Sequence, residues 1–128
     1  MRIDRLDHLV LTVGDLERTC LFYRDVLGMN IVEFEGGRKA LLFGQQKINL
    51  HQAGREFEPK ARRPTPGSGD LCFIAETPLV DVVRQLGAAG VALESDIVER
   101  TGALGPMRSI YFRDPDGNLI EVSNYKGA

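Results

Sequence analysis

Apolar and polar residues along the chain follow two periods, close to two and close to 3.6, and the same order of periods occurs twice. Residues 6–13 (LDHLVLTV) form an apolar run rich in β-branched side chains, and Gly14 with Asp15 ends the strand and supplies a helix N-cap. Leu16, Cys20, Tyr23 and Leu27 then recur at helical spacing, and Gly28 stands where a left-handed C-terminal cap belongs. A helix of about three turns is predicted. Strands are predicted at 29–35, 39–43 and 47–52, divided by the Gly36-Gly37 and Gly44-Gln45 turn signals.

Residues 55–69 (REFEPKARRPTPGSG) combine prolines, glycines and charges into a connection that builds no core element. The pattern then restarts. Residues 70–76 predict a strand, Thr77 an N-cap with Pro78 at the first helical position, and Leu79, Val83 and Leu86 a second helix. Sliding the chain by 62 positions superposes His8 on Asp70, Asp15 on Thr77 and Gly28 on Gly90. Strands are expected at 91–93, 108–113 and 119–124, with a loop over 100–106 and a turn at Asp114-Pro115-Asp116-Gly117-Asn118 closing a hairpin. At the ends of the two halves, residues 48–50 match residues 120–122 at an offset of 72. The fold class is α+β: two tandem βαβββ modules, about 4–54 and 69–126, joined by loop 55–68 in a single domain. Two such sheets around a common axis would make a half-open, barrel-like wall about a cavity.

Strand side chains alternate faces, so each sheet puts one set of residues under its helix and the other set opposite. Leu9, Leu11, Val13, Ile120 and Val122 suit the helix-covered faces. His8, Asn49, His51, Asp70, Cys72, Glu121 and Ser123 are left on the opposite ones. The chain has only two histidines, His8 and His51, and both fall in this polar set. Imidazoles and carboxylates buried together suit a divalent ion such as Zn, Ni, Fe, Mn or Co. Each residue also has a plainer reading. His8 suits a hydrogen-bonded strand end, Glu121 a solvent-facing position, and His51 and Asp70 solvated ends of elements. Arg100, Thr101, Arg108 and Tyr111 are candidate substrate-binding residues, set against a solvated charged surface.

The balance of 16 basic and 18 acidic residues, net charge -2, gives no field of the kind a nucleic-acid binder needs. At 43% hydrophobic and 27% charged, the chain of 128 residues has the composition of one packed domain. Cys20 and Cys72 lie in apolar stretches with no metal or redox spacing, which predicts buried packing for both. No apolar run reaches the roughly 18 residues of a membrane span. With no signal-peptide pattern at the amino end, a cytoplasmic protein is expected. Sheet edges in search of partners predict a homodimer.

Residues 7–13 (DHLVLTV), 22–29 (FYRDVLGM) and 112–122 (FRDPDGNLIEV) resemble the glyoxalase/bleomycin resistance/dioxygenase, or vicinal oxygen chelate, superfamily over essentially the whole chain. Residues 47–52 (KINLHQ), 56–61 (EFEPKA) and 70–74 (DLCFI) are similar to its glyoxalase-domain and virulence-associated subgroup. The resemblance implies metal ligands from the first and last strands of each module, which here are His8, Asn49, Asp70 and Glu121. Asn49 departs from the Glu or Gln of glyoxalase I, and Asp70 from its His. His51 is therefore expected to supply a second imidazole, in a set of His8, His51, Glu121 and Asp70, with Asn49 left to the substrate. A lyase or isomerase of the lactoylglutathione lyase type is implied, with Glu121 or Asp70 moving a proton on a small oxygenated substrate. Two alternatives are a metal-free, ligand-sequestering protein of the bleomycin-resistance type and an extradiol-type dioxygenase.

Overall fold

The computed structural model describes residues 1–127. The chain divides into two compact units, Met1–Gly67 and Ser68–Ala128.

In the first unit, β1 (His8–Val13), α1 (Leu16–Asp25), β2 (Asn30–Phe34), β3 (Arg38–Phe43) and β4 (Gln46–Gln52) follow in that order. They form a sheet of order β1-β4-β3-β2, in which β1 runs parallel to β4 and the other pairs are antiparallel. Helix α1 packs on β2, β3 and β4 and buries Thr19, Cys20 and Tyr23. Beneath it Leu11, Val13, Leu41, Ile48 and Leu50 are almost fully withdrawn from water. Their period of two along each strand is what fixes the register, since a slip by one residue would turn this set outward.

The second unit repeats the plan with β5 (Asp70–Ile74), α2 (Leu79–Ala88), β6 (Val98–Gly102), β7 (Gly105–Arg113) and β8 (Leu119–Tyr125), in a sheet of order β5-β8-β7-β6. Again the first strand is parallel to the last. Helix α2 packs on β7 and β8, burying Leu79, Val82 and Leu86. Ile110, Phe112, Ile120 and Val122 lie under it.

Two expectations about the second unit need correction. Residues 91–93 are not a strand: Val91 instead donates its N–H to Leu86 and finishes the helix. The missing strand is β6, drawn from what read as a loop, and it joins β7 by a tight turn in which Gly105 adopts φ 136. Its alternating residues Val98, Arg100 and Gly102 were masked by their charge and small size. Thr77 does not cap α2 either. Pro78 occupies that position without a side-chain bond, and Asn124 of β8 accepts the Leu79 N–H at 2.8 Å while donating to the carbonyls of Ala75 and Thr77.

The first unit has the same device. Gln52 of β4 accepts the Leu16 N–H at 3.0 Å and donates to the Gly14 carbonyl at 2.7 Å, beside the Asp15 side chain that accepts from the Arg18 N–H. Amides 72 positions apart thus clamp both strand-to-helix corners. Each satisfies a helix N–H that has no partner within its helix.

In the second unit the turn at 114–118 is a hydrogen-bonded knot. Asp114 Oδ1 accepts from the N–H groups of Asp116 and Asn118, and Asn118 donates to Asp114 Oδ2 at 2.8 Å. Asn118 Oδ1 in turn accepts the Gly69 N–H at 2.7 Å, fixing the entry to β5. Among the described residues no helix is long and apolar enough to cross a membrane.

Candidate functional site

The register places the polar candidates on the face of each sheet away from its helix, and in equivalent positions. In the first unit Asn49 lies opposite Val10, two residues beyond His8. In the second unit Glu121 lies opposite Cys72, two residues beyond Asp70. His8 with Asn49 and Asp70 with Glu121 are therefore the same diagonal of the repeated sheet. Each pair is separated by roughly 8 Å between Cα atoms at ordinary strand spacing, within reach of side chains that lean together.

His8 is oriented from behind. Its Nδ1 sits 2.8 Å from Asp7 Oδ2, a carboxylate–imidazole contact that leaves Nε2 as the nitrogen for a ligand. The same hydrogen bond is the main cause that holds the exposed Asp7 carboxyl below its usual range. Asn49 shows a different signature: its Oδ1 is buried and has no hydrogen-bond partner. A buried acceptor left unpaired costs about 1–3 kcal/mol, so this oxygen is poised for a cation or a donor.

His51 shares the face but lies apart from His8. It is opposite Thr12, four residues along from His8, which is about 13 Å at roughly 3.3 Å per residue. One ion with bonds of about 2.1 Å to nitrogen does not draw both imidazoles to itself across that span. His51 is instead packed, at 8% exposure, edge-on to Phe57 with ring centres 5.7 Å apart, and Arg38 covers the other part of the Phe57 ring at 4.4 Å. Burial first, and Arg38 next, push its pKa below the ordinary value. The β1–β4 register thus separates His51 from His8 along the sheet. Parity placed it on the right face, but the sequence could not give its distance along the strand without the β1–β4 register.

In the second unit Tyr111 is directly opposite Glu121 on β7, and Arg100 of β6 donates from Nε to the Tyr111 hydroxyl at 2.9 Å. These two belong with Glu121. Arg108 and Thr101 do not: the ladder pairs Arg108 with Glu99 and Asn124, on the helix-covered face, and Thr101 shares the parity of Glu99. Arg108 approaches the Glu99 carboxylate, which also holds Lys126 at 2.6 Å. Both residues lie on the face opposite Glu121, because an antiparallel partner always shares its neighbour's face.

Cys72 corrects another expectation. Cys20 is buried, but Cys72 is exposed. It lies on the Glu121 face with its Sγ 3.4 Å from Ser123 Oγ, and Ser123 in turn donates to Glu121 Oε2 at 3.2 Å. Partial burial pushes the Cys72 thiol up, Ser123 opposes the rise, and the Glu121 carboxylate adds to it. Ser109, also on this face, is 2.6 Å from Ser123 Oγ. Sequence reasoning put Cys72 and Ser123 on this face but gave them no role; the alternation that selected Glu121 was the signal available. Among the described residues no three His, Cys, Asp or Glu side chains form a group able to hold a metal ion. The donors are two diagonals, one in each unit, and one of them includes an amide.

A model of the Glyoxalase/Bleomycin resistance protein/Dioxygenase superfamily matches residues 5–122. The chain belongs to this superfamily. Within it, the chain is 62% identical over 125 residues to the Virulence protein STM3117 of Salmonella typhimurium, covering 98% of this chain and 87% of that protein. The crystal structure of that protein superposes with a TM-score of 0.96 over 98% of this chain and 99% of the other. The Glyoxalase domain-containing protein RDO1 of Mycosarcoma maydis is 53% identical over 128 residues, covering 100% of this chain and 72% of its own length. A solved integron cassette protein from the mobile metagenome of V. Cholerae gives a TM-score of 0.97 at 58% identity, over 98% of both chains. The duplicated α+β sheet architecture, two four-stranded mixed sheets with two helices, is thereby that of the superfamily.

Proposed function

We propose that the protein is a metal-dependent enzyme of the glyoxalase type, acting as a lyase or isomerase on a small substrate that carries neighbouring oxygens. The observation that carries this reading is the unpaired, buried Oδ1 of Asn49, lying on the diagonal from an imidazole already oriented by Asp7. The donor types fit a divalent ion such as Zn, Ni, Fe, Mn or Co: one imidazole nitrogen, one amide oxygen and carboxylates. His8 and Asn49 of the first unit, and Asp70 and Glu121 of the second, are the residues that each sheet offers to such an ion. Such an ion supplies Lewis-acid stabilisation of negative charge on the substrate's oxygens.

The chain's own residues account for the remaining tasks. Glu121, fixed through Oε2 by Ser123, is the carboxylate that moves the proton next to the substrate carbonyl, and Asp70 stands by as ligand or partner. Arg100, stacked near the Tyr111 ring at 5.4 Å and bonded to its hydroxyl, presents a guanidinium to an anionic substrate group. The distance of His51 from His8 weighs against a dioxygenase-type triad, which needs two imidazoles and a carboxylate on one ion.

Elemental analysis of the natively purified protein tests the reading. Close to one divalent ion per chain is expected, lost in His8→Ala and Asn49→Ala and retained in His51→Ala. A wild-type protein that takes up no metal, even after incubation with each candidate ion, would point instead to a ligand-sequestering protein. Loss of metal in His51→Ala with none in Asn49→Ala would restore His51 to the ligand set.

A further inference from the structure

The second unit contains a polar chain of which the metal reading uses only the last contact, Ser123 to Glu121. Ser109 and Ser123 are both fully buried, at 0% exposure, and both lie on the face that carries Glu121. Their oxygens are 2.6 Å apart, a short contact for two neutral hydroxyls. Two buried serines on the functional face of a sheet call for an explanation, since apolar residues would fill the same space without polar groups to satisfy.

Proton bookkeeping gives the chain a direction. A serine hydroxyl has one proton to donate and two lone pairs to accept with. Ser123 donates its proton to Glu121 Oε2 at 3.2 Å. The 2.6 Å contact must then run the other way, with Ser109 donating to Ser123. Cys72 Sγ lies 3.4 Å from the Ser123 hydroxyl. Ser123 is thereby held by Ser109 with its single proton directed to the carboxylate. A donor fixed in this way sets the rotation of the carboxylate group that it contacts.

We propose that Ser123, locked by Ser109, is a positioning residue that sets the orientation of the Glu121 carboxylate for its ligand. The inference rests on the reading that Glu121 binds a divalent ion. It adds that the strength of binding is set by a hydroxyl pair that touches neither ion nor substrate. Partners of this kind behind a metal ligand change affinity by about 10–100-fold when removed. No counterpart exists in the first unit, where the repeat puts His51 in the position of Ser123.

Titration of the metal-stripped full chain with Co²⁺, followed by its visible absorption, tests this directly. The expected result is that Ser123→Ala binds Co²⁺ about tenfold more weakly with an altered spectrum, at the low end of that range. Ser109→Ala, which leaves the donor but frees its rotation, is expected to lose less. Ser123→Thr, which keeps the hydroxyl, is expected to recover most of the affinity and the wild-type spectrum. Co²⁺ binding by Ser123→Ala at wild-type affinity and with the wild-type spectrum would overturn the positioning role while leaving the metal reading intact. A wild-type chain that does not bind Co²⁺ at all would overturn both. Should Ser123→Ala fail to fold, Ser109→Ala decides: wild-type affinity and spectrum in that variant refute the proposal.

Discussion

In the first unit the face away from α1 carries His8, Asn49 and His51; in the second, the same three positions of the repeat carry Asp70, Glu121 and Ser123. No residue type is kept between them. Yet the ladders match: first strand parallel to last, the diagonal of the two leading polar residues, and an amide at the end of the last strand that clamps the helix entry. Residues that close a hydrogen-bond ladder or fill the space under a helix are constrained by packing, because a change there exposes apolar surface or leaves backbone groups unpaired. Residues on the opposite face differ in type between the two units. One scaffold has thus been used twice with two sets of chemical groups.

The largest asymmetry between the two units is the knot at 114–118. The corresponding turn of the first unit is the two-residue Gly44-Gln45 connection, with nothing like Asn118, which is 1% exposed and bonded to both Asp114 and Gly69. Asn118→Ala should cost about 3 kcal/mol, because it removes the bonds to the Asp114 carboxylate and to the Gly69 N–H together. The midpoint of urea unfolding measures it. If the cost is below 1 kcal/mol or so, the knot is not what secures the entry to β5.

The amide clamps test the similarity rather than the difference. Gln52→Ala and Asn124→Ala should each destabilise by about 1–2 kcal/mol, as loss of a helix cap does, and by amounts close to each other. Substantially unequal losses would mean that the two corners are alike in geometry but not in energy. A smaller effect is expected at Gly102 of β6, where an added Cβ would come within 2.6 Å of the Tyr125 hydroxyl and 2.8 Å of the Met107 sulfur. Both are ends of side chains that can shift, so Gly102→Ala should cost only about 1 kcal/mol by the usual range for overpacking. The first sign of it would be loss of the Leu104 N–H to Tyr125 hydroxyl bond, read by amide hydrogen exchange.

The smallest effect is one of pH and belongs to the first unit alone. His51 has its pKa lowered in the folded protein from an ordinary value near 6.5, so the unfolded chain takes up that proton first on acidification. Stability from this group is fully present above about 6.5 and is lost as pH falls toward the lower folded value. His51→Gln should flatten that part of the stability profile between about pH 7 and 5 relative to wild type. A profile unchanged by His51→Gln would show that burial against Phe57 does not oppose its protonation.

Much of the fold was legible because its signals are local and repeat. The β1 and α1 segments were marked by alternation, by Asp15 as a cap and by Gly28, whose φ of 70 fills the left-handed cap position. Strand β6 was hidden because Glu99, Arg100 and Thr101 carry no apolar alternation; only pairing with β7 makes them a strand. Parity also chose the correct face for His8, Asn49, Asp70 and Glu121. Arg108 and Thr101 were named for their side chains alone, and only the β6–β7 and β7–β8 ladders place them on the face opposite Glu121.

By itself, the sequence determined the periods and the duplication, and with them the identity of the residues that each sheet can turn away from its helix, since alternation is a property of the chain's own covalent geometry. Only the tertiary structure decided which of those residues are neighbours. Register separates His51 from His8, joins Asn49 to it, and sets Ser123 and Cys72 beside Glu121, because distances across a ladder depend on which strands pair and at which step.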